Sequence, residues 1–101
     1  MKYCGYRDLK VFKLAYKLSM DIFEVTKELP KEEKFSLIDQ MRRSSRSVSV
    51  NIAEAWEKRL YPKMFVSKII DAAGEAGETE VWLDVSKDAG YLKRKSIMNL
   101  S

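Results

Sequence analysis

The chain has 101 residues, of which 46% are hydrophobic and 34% are charged, and its net charge is +4. This composition favours a folded domain over a disordered chain, and a single cysteine, Cys4, excludes an intrachain disulfide. A chain of this length fills one hydrophobic core, so we expect one domain over residues 1–101.

No stretch of the sequence approaches the roughly 20 consecutive apolar residues that a membrane-spanning helix needs. The first residues, Met1 to Asp8, carry no apolar segment of the kind found in secretory signals. We therefore expect a cytoplasmic location and no membrane contact. Cys4 should carry a reduced thiol, with an intermolecular disulfide as the alternative.

The first predicted helix spans residues 8–28. Its apolar residues recur at alternating spacings of three and four, which places them on one helical face. They are Val11, Ala15, Leu18, Ile22, Val25 and Leu29, and the face is widened by Phe12, Leu14, Tyr16 and Phe23. Pro30 ends the helix, because the residue before a proline is pushed out of the helical conformation.

The second predicted helix spans residues 33–58 and has a lighter apolar face. That face consists of Leu37, Met41, Ser45, Val48, Ile52 and Ala55. The serines between positions 44 and 49 are poor helix formers, so this helix should depend on packing against its neighbours.

The third predicted helix spans residues 62–89, because Pro62 suits a first helical turn and Gly90 suits the position after the last one. Small residues cluster in its middle, at Ala72, Ala73, Gly74, Ala76 and Gly77. Each glycine costs about 1 kcal/mol relative to alanine inside a helix. Close approach of another helix is the expected reason, and we assign Ala73 and Gly77 to helix packing or an oligomer interface.

The last segment predicts only a stub over residues 96–101, which Ser96 could cap. Three long helices joined by short loops are typical of an up-and-down bundle. The sequence therefore predicts an all-α fold, namely an up-and-down four-helix bundle with a short or incomplete fourth helix.

Catalytic chemistry is not indicated by the residue types. Histidine, the commonest general base and metal ligand near neutral pH, is absent, and one cysteine cannot form a tetrahedral sulfur site. Carboxylates such as Glu54 and Glu75 recur on helices two and three, but metal sites of this kind usually include histidines. We expect no catalytic site, no metal and no cofactor, and a solvated or salt-bridged acidic face.

Charges are segregated along the chain. The basic block, residues 42–68, has seven basic and two acidic residues, a balance of +5. The acidic block, residues 71–88, has six acids and one lysine, a balance of −5. The two blocks could pair between the helices of one chain or between copies in a ring.

Arg42, Arg43 and Arg46 lie on one side of helix two, where guanidinium groups could grip phosphates. This patch could be extended by three further cations, Lys93, Arg94 and Lys95. A basic stripe without a base-reading module favours binding to the nucleic-acid backbone. An ordinary solvated face, partnered by the acids of helix three, explains the same residues about equally well.

A polar stripe runs along helix two beside its apolar face. Its members at helical spacing are Gln40, Arg43, Ser47, Asn51 and Glu54. Polar side chains at the edge of a core can fix the register between helices. We assign the four residues other than Arg43 to helix packing or an oligomer interface rather than to ligand contact.

Helix two also contains a signature segment, Gln40-Met-Arg-Arg-Ser-Ser-Arg-Ser-Val-Ser-Val-Asn-Ile-Ala-Glu-Ala55. It resembles the signature of the four-helix-bundle proteins encoded in intervening sequences of bacterial large-subunit (23S) ribosomal RNA genes. Three further segments resemble that family in its opening, first turn and third helix: Tyr6 to Phe12 with Ala15, Leu29-Pro30 with Glu33 to Leu37, and Phe65 to Glu80. The resemblance covers nearly the whole chain.

The resemblance implies a bundle that assembles as a ring, commonly a homopentamer, with no known catalytic activity. Similar bundles are accessory proteins of diversity-generating retroelements, in which a basic pentameric barrel binds a reverse transcriptase and nucleic acid. By this resemblance we expect a homo-oligomer that associates with RNA or DNA through Arg42, Arg43 and Arg46, with a reverse transcriptase or another protein as a further partner. The competing expectation is a protein-interaction scaffold without a nucleic-acid role.

Two features depart from the family pattern. Ala55 stands where the family usually has a glycine, which favours a continuous second helix. Family members also usually continue beyond Ser101 with a complete fourth helix, and without it an apolar groove would lie open on helices one and three.

Overall fold

The computed structural model of the chain describes residues 5–93, which form three α-helices, two short 3-10 turns and no strand. The helices are α1 (Lys10–Thr26), α2 (Leu37–Glu57) and α3 (Pro62–Asp88). The predicted all-α class is confirmed. The predicted stub at residues 96–101 lies outside the described residues.

The boundaries of α1 and α2 differ from the predicted ones because 3-10 turns precede both helices. Gly5–Asp8 forms the first turn, so α1 begins at Lys10 rather than at residue 8. Lys31–Glu33 forms the second turn, so α2 begins at Leu37 rather than at residue 33. The second helix then continues without a break through Ala55 to Glu57, as the missing glycine favours.

The end of α3 is set by Gly90, which has a positive φ of 76°. The amide of Tyr91 donates to the carbonyl of Ser86 at 3.0 Å, and the amide of Gly90 donates to the carbonyl of Lys87 at 3.0 Å. This pair of hydrogen bonds is a Schellman motif, in which the left-handed position favours glycine.

The three helices run up, down and up, with α1 and α3 packed mainly on α2. Arg42 near the start of α2 contacts Thr26 at the end of α1, so these two helices are antiparallel. Glu54 near the end of α2 pairs with Lys68 near the start of α3, so the second pair is antiparallel as well.

The core lies along α2 and forms two clusters. One cluster contains Ala15, Val48, Ile52 and Ala72, and the other contains Ile22, Leu29, Leu37 and Met41. All six residues of the predicted apolar face of α2 are buried. Its buried serines hydrogen-bond to carbonyls one turn earlier in the same helix, which satisfies their hydroxyls inside the core.

The predicted apolar face of α1 is only partly covered within residues 5–93. Val11 is 53% exposed, and the two residues expected to widen this face, Leu14 and Tyr16, are 68% and 55% exposed. Helix α2 covers one side of α1, and the flanking sides stay open.

Among the described residues, no helix is both long and apolar enough to span a bilayer.

Candidate nucleic-acid interface

Arg42 is half-buried and links α2 to α1. Its Nε donates a hydrogen bond to the hydroxyl of Thr26 at 2.8 Å, and its guanidinium carbon lies 4.7 Å from the centroid of the Phe23 ring. The ammonium of Lys27 also lies 4.8 Å from that centroid. The predicted phosphate ligand Arg42 therefore has a packing role within the chain.

Arg43 and Arg46 are both exposed, but they have different surroundings. Arg43 forms a 3.7 Å ion pair with Asp39 on the same helix. Arg46 forms no ion pair within residues 5–93, and it lies one turn after Arg42 along α2. The three arginines therefore do not form one patch of equivalent cations.

Of the three cations after α3 that are predicted to extend the basic patch, only Lys93 lies among the described residues. The backbone amide of Lys93 donates to a carboxylate oxygen of Glu28 at 3.1 Å, beside the loop that joins α1 to α2. Arg94 and Lys95 lie outside the described residues.

A polar cleft of about 290 Å³ separates the first half of α2 from α3. Its lining residues are Gln40, Arg43, Ser44, Ser47, Glu75 and Glu78. Below it, the buried hydroxyls of Ser44 and Thr79 lie 2.8 Å apart. Gln40 and Ser47 thus line the cleft between two helices, and their assignment to helix packing stays a prediction.

The other two members of the polar stripe act separately. The side-chain amide of Asn51 donates to the carbonyl of Ser47 at 2.9 Å within α2. The carboxylate of Glu54 accepts from the ammonium of Lys68 on α3 at 2.7 Å, and this hydrogen bond raises the pKa of Lys68. Glu54 therefore joins two helices, whereas Asn51 bonds inside one.

Three of the small residues of α3, Ala73, Gly74 and Gly77, are exposed, whereas Ala72 is buried in the core and Ala76 packs against it. The outer α3 face consists of Val66, Ile70, Ala73, Gly77 and Val81, on the side of the helix opposite the buried Ala72, Thr79 and Ser86. A Cβ added at Gly74 or Gly77 would meet no atom within 4 Å. Within residues 5–93 no second helix approaches the two glycines, so an interface at Ala73 and Gly77 stays a prediction.

An apolar groove of about 370 Å³ opens where the start of α1, the end of α2 and the start of α3 meet. Its lining residues are Leu9, Val11, Ile52, Ala55, Trp56, Arg59, Phe65 and Ile69. This groove includes α2 as well as helices one and three, so the predicted groove of a missing fourth helix stays a prediction.

A second cleft, which the apolar spacing does not predict, lies at the start of α1 and has a volume of about 510 Å³. We call it the aromatic cleft, and it is lined by Tyr6, Arg7, Phe12, Lys13 and Tyr16. From the apolar spacing, Phe12 and Tyr16 are expected to widen the apolar face of α1. The lysines at positions 10, 13 and 17, interleaved with these rings, were the available signal of a surface.

The acidic and basic blocks do not pair with each other within the part of the chain that the structure describes. The ion pair of Lys68 is with Glu54, inside the basic block, and that of Arg43 is with Asp39 on its own helix. The same residues, 5–93, contain no group of three or more side chains able to hold a metal ion. Within these residues the two blocks therefore form no ion pair with each other, although Arg43 lines the same cleft as Glu75 and Glu78.

Fold and surface define the chain as an all-α helical-bundle protein with exposed apolar and charged faces. It belongs to the 23S rRNA-intervening sequence protein family, whose sequence model matches residues 7–101. The resemblance drawn from the signature segment of α2 is thereby confirmed. No curated protein matches the chain.

Proposed function

We propose that the protein is a non-catalytic, cytoplasmic, homo-oligomeric helical bundle that associates with RNA or DNA through the basic face of α1 and α2. This basic face comprises the exposed cations Arg7, Lys10, Lys13 and Arg46 with the half-buried Arg42. The observation that carries the proposal is the segregation of charge. Lys10, Lys13 and Arg46 form no ion pair within residues 5–93, while the acids of residues 71–88 lie on α3.

Cations that lack an internal partner attract the phosphate backbone, because its counterions are released when the cations bind. Backbone contacts position a nucleic acid without reading its sequence. The proposed association is therefore sequence-tolerant and strongly dependent on salt concentration.

Self-association is supported by the outer α3 face and by the two charge blocks, which do not pair with each other within residues 5–93. An apolar helical face with small residues at its centre permits close approach of a helix from another copy. Opposed charge blocks on different faces suit a head-to-tail contact, which closes into a ring when its rotation allows. The ring that we propose is a homopentamer, as the resemblance implies.

The experiment combines light scattering with binding of a labelled RNA at low salt. Arg46→Glu and Lys87→Glu change the net charge equally, but Arg46 lies on the basic face and Lys87 lies near the end of α3. We expect Arg46→Glu to weaken RNA binding strongly and Lys87→Glu to leave it near the wild-type level. Equal losses in the two variants, or no binding by the wild type, would contradict the nucleic-acid role.

The second candidate function is a protein-interaction scaffold, with a reverse transcriptase or another protein as its partner. The apolar groove favours it, since exposed apolar surface of this kind marks protein contact sites. A pull-down with and without nuclease separates the two functions. A scaffold keeps its partner after nuclease treatment, whereas a partner held through nucleic acid is released.

A further inference from the structure

The aromatic cleft joins three rings and two cations at the start of α1. The turn Gly5–Asp8 brings Tyr6 against Phe12, with ring centroids 4.8 Å apart and an angle of 66° between the ring planes. The centroids of Phe12 and Tyr16 are 6.1 Å apart, and the guanidinium of Arg7 lies 4.7 Å from the centroid of Tyr6. The cleft is therefore built from contacts between rings rather than from isolated surface residues.

From this arrangement we infer that the aromatic cleft is a stacking site for single-stranded nucleic acid. An unpaired base stacks on the ring of Tyr16, and the phosphates beside it are held by Arg7 and Lys13. This site rests on the proposed association with nucleic acid. It adds that the bound strand is single and that a base stacks on Tyr16.

The exposure of Tyr16 supports stacking. Its side chain is 55% exposed although its ring touches Phe12, so one side of the ring is free to receive a planar group. The rings already contact one another, so a base stacks onto Tyr16 and does not insert between the rings. Aromatic side chains bind bases of every sequence in this way, because each base has a π face.

Charge complementarity selects nucleic acid as the occupant. Residues 5–17 contain four basic residues and one acid, a balance of +3. Lys10, Lys13 and Lys17 recur at helical spacing along α1, and Lys13 lines the cleft. Only Lys17 of these three pairs with an acid, Asp21, within residues 5–93. An apolar protein segment would use the rings and leave these cations without partners, whereas a nucleic-acid strand uses both.

The path of the strand continues along the seam between α1 and α2. Tyr16 and Phe23 lie on the same side of α1, and Arg42 contacts Phe23 from α2. Because the two helices are antiparallel, Arg46 lies one turn closer than Arg42 to the level of Tyr16. The seam thus leads from the stacking ring to an exposed guanidinium without an ion-pair partner in the described chain.

Duplexes should bind less well than single strands at this cleft. The faces of paired bases are covered by their neighbours in the helix, so Tyr16 can stack only on unpaired or terminal bases. Preference for the single strand at equal salt therefore distinguishes stacking from backbone attraction alone.

The test uses fluorescence anisotropy of a labelled uridine 12-mer and of an RNA duplex of equal length, with the full chain at low salt. Tyr16→Leu removes the ring and Tyr16→Phe keeps it. Phe35→Leu is the matched control, because Phe35 is 88% exposed and also lies beside a lysine, with Lys34 at 5.4 Å. Circular dichroism melts establish that each variant is folded.

We expect Tyr16→Leu to weaken binding of the 12-mer about tenfold, within the range for loss of one base–aromatic stack. Binding of the duplex should change little, and Tyr16→Phe and Phe35→Leu should bind the 12-mer like the wild type. If Arg46→Glu weakens binding and Tyr16→Leu does not, the stacking site is overturned and the proposed function stands. If the wild type binds neither probe, both are overturned.

Discussion

The Nε of Arg42 on α2 donates a 2.8 Å hydrogen bond to the hydroxyl of Thr26, which is buried at the end of α1. This bond ties together the two helices that carry the basic face. Arg46, one turn later, has no comparable bond within residues 5–93 and is exposed. Two arginines that the sequence presents as equivalent are therefore expected to differ, one serving stability and the other binding.

The first prediction concerns that difference. Arg42→Ala should destabilise the fold by about 1–3 kcal/mol, because it removes a charged hydrogen bond and a cation–π contact. Arg46→Ala should change stability by no more than about 0.5 kcal/mol, as is usual for an exposed side chain. Urea unfolding measures both values. Equal effects of the two substitutions would show that the bond to Thr26 does not stabilise the helix pair.

The second prediction concerns the hydroxyls of Ser44 and Thr79, which lie 2.8 Å apart between α2 and α3. Thr79→Val should cost about 1–2 kcal/mol, because it removes a buried hydrogen-bonding group while keeping the side-chain shape. In a double-mutant cycle with Ser44→Ala, the coupling should exceed about 0.5 kcal/mol. Ser49→Ala is the control. The hydroxyl of Ser49 bonds to the carbonyl of Arg46 in its own helix, so the changes in unfolding free energy from Ser49→Ala and Thr79→Val should add.

The third prediction concerns pH. The hydroxyl of Ser36 at 2.5 Å and that of Tyr91 at 3.0 Å donate to the carboxylate of Glu33 and lower its pKa. Because the carboxyl has a lower pKa in the folded state, it adds stability at pH values above its ordinary pKa. This contribution is lost as the pH falls through the lowered pKa. Tyr91→Phe should therefore reduce stability near neutral pH and flatten its decline in acid.

The hydrogen bond between Tyr91 and Glu33 also predicts how stability changes at alkaline pH. The hydrogen bond to Glu33 raises the pKa of Tyr91 above its ordinary 10.0. Its contribution to stability is therefore complete below that ordinary pKa and is lost as pH rises through the raised value. Urea unfolding across the pH range measures both sides, and superimposable profiles for Tyr91→Phe and wild type would contradict the contact.

The fourth prediction concerns Gly77 on the outer α3 face. Gly77→Ala should stabilise the single chain by about 1 kcal/mol, because alanine favours the helix and its Cβ meets no atom within 4 Å. Gly77→Leu should keep the fold but reduce the oligomer mass in light scattering, because a bulky side chain blocks close approach of another copy. Glu57→Leu on α2 is the control, and a wild-type mass for Gly77→Leu would place the interface elsewhere.

The sequence predicts the helices well because their apolar spacing and the breaks at Pro30, Pro62 and Gly90 are local signals. It does not predict which side of α1 remains open. Periodicity places Val11 and Tyr16 on or beside the apolar face, but their exposure depends on which helix covers that face. The separate roles of Arg42 and Arg46 likewise depend on the residues of α1 that lie opposite, which is a long-range property.

The central claim, association with nucleic acid through the basic face, is tested most directly by the salt dependence of binding. The affinity of wild-type protein and of Arg46→Gln for a labelled single-stranded RNA is measured across a range of salt concentrations. We predict that the logarithm of affinity falls linearly with the logarithm of salt, and that Arg46→Gln reduces the slope by about 0.7, the value for one lost phosphate contact. Negligible binding at low salt, or a slope that Arg46→Gln leaves unchanged, would contradict the account.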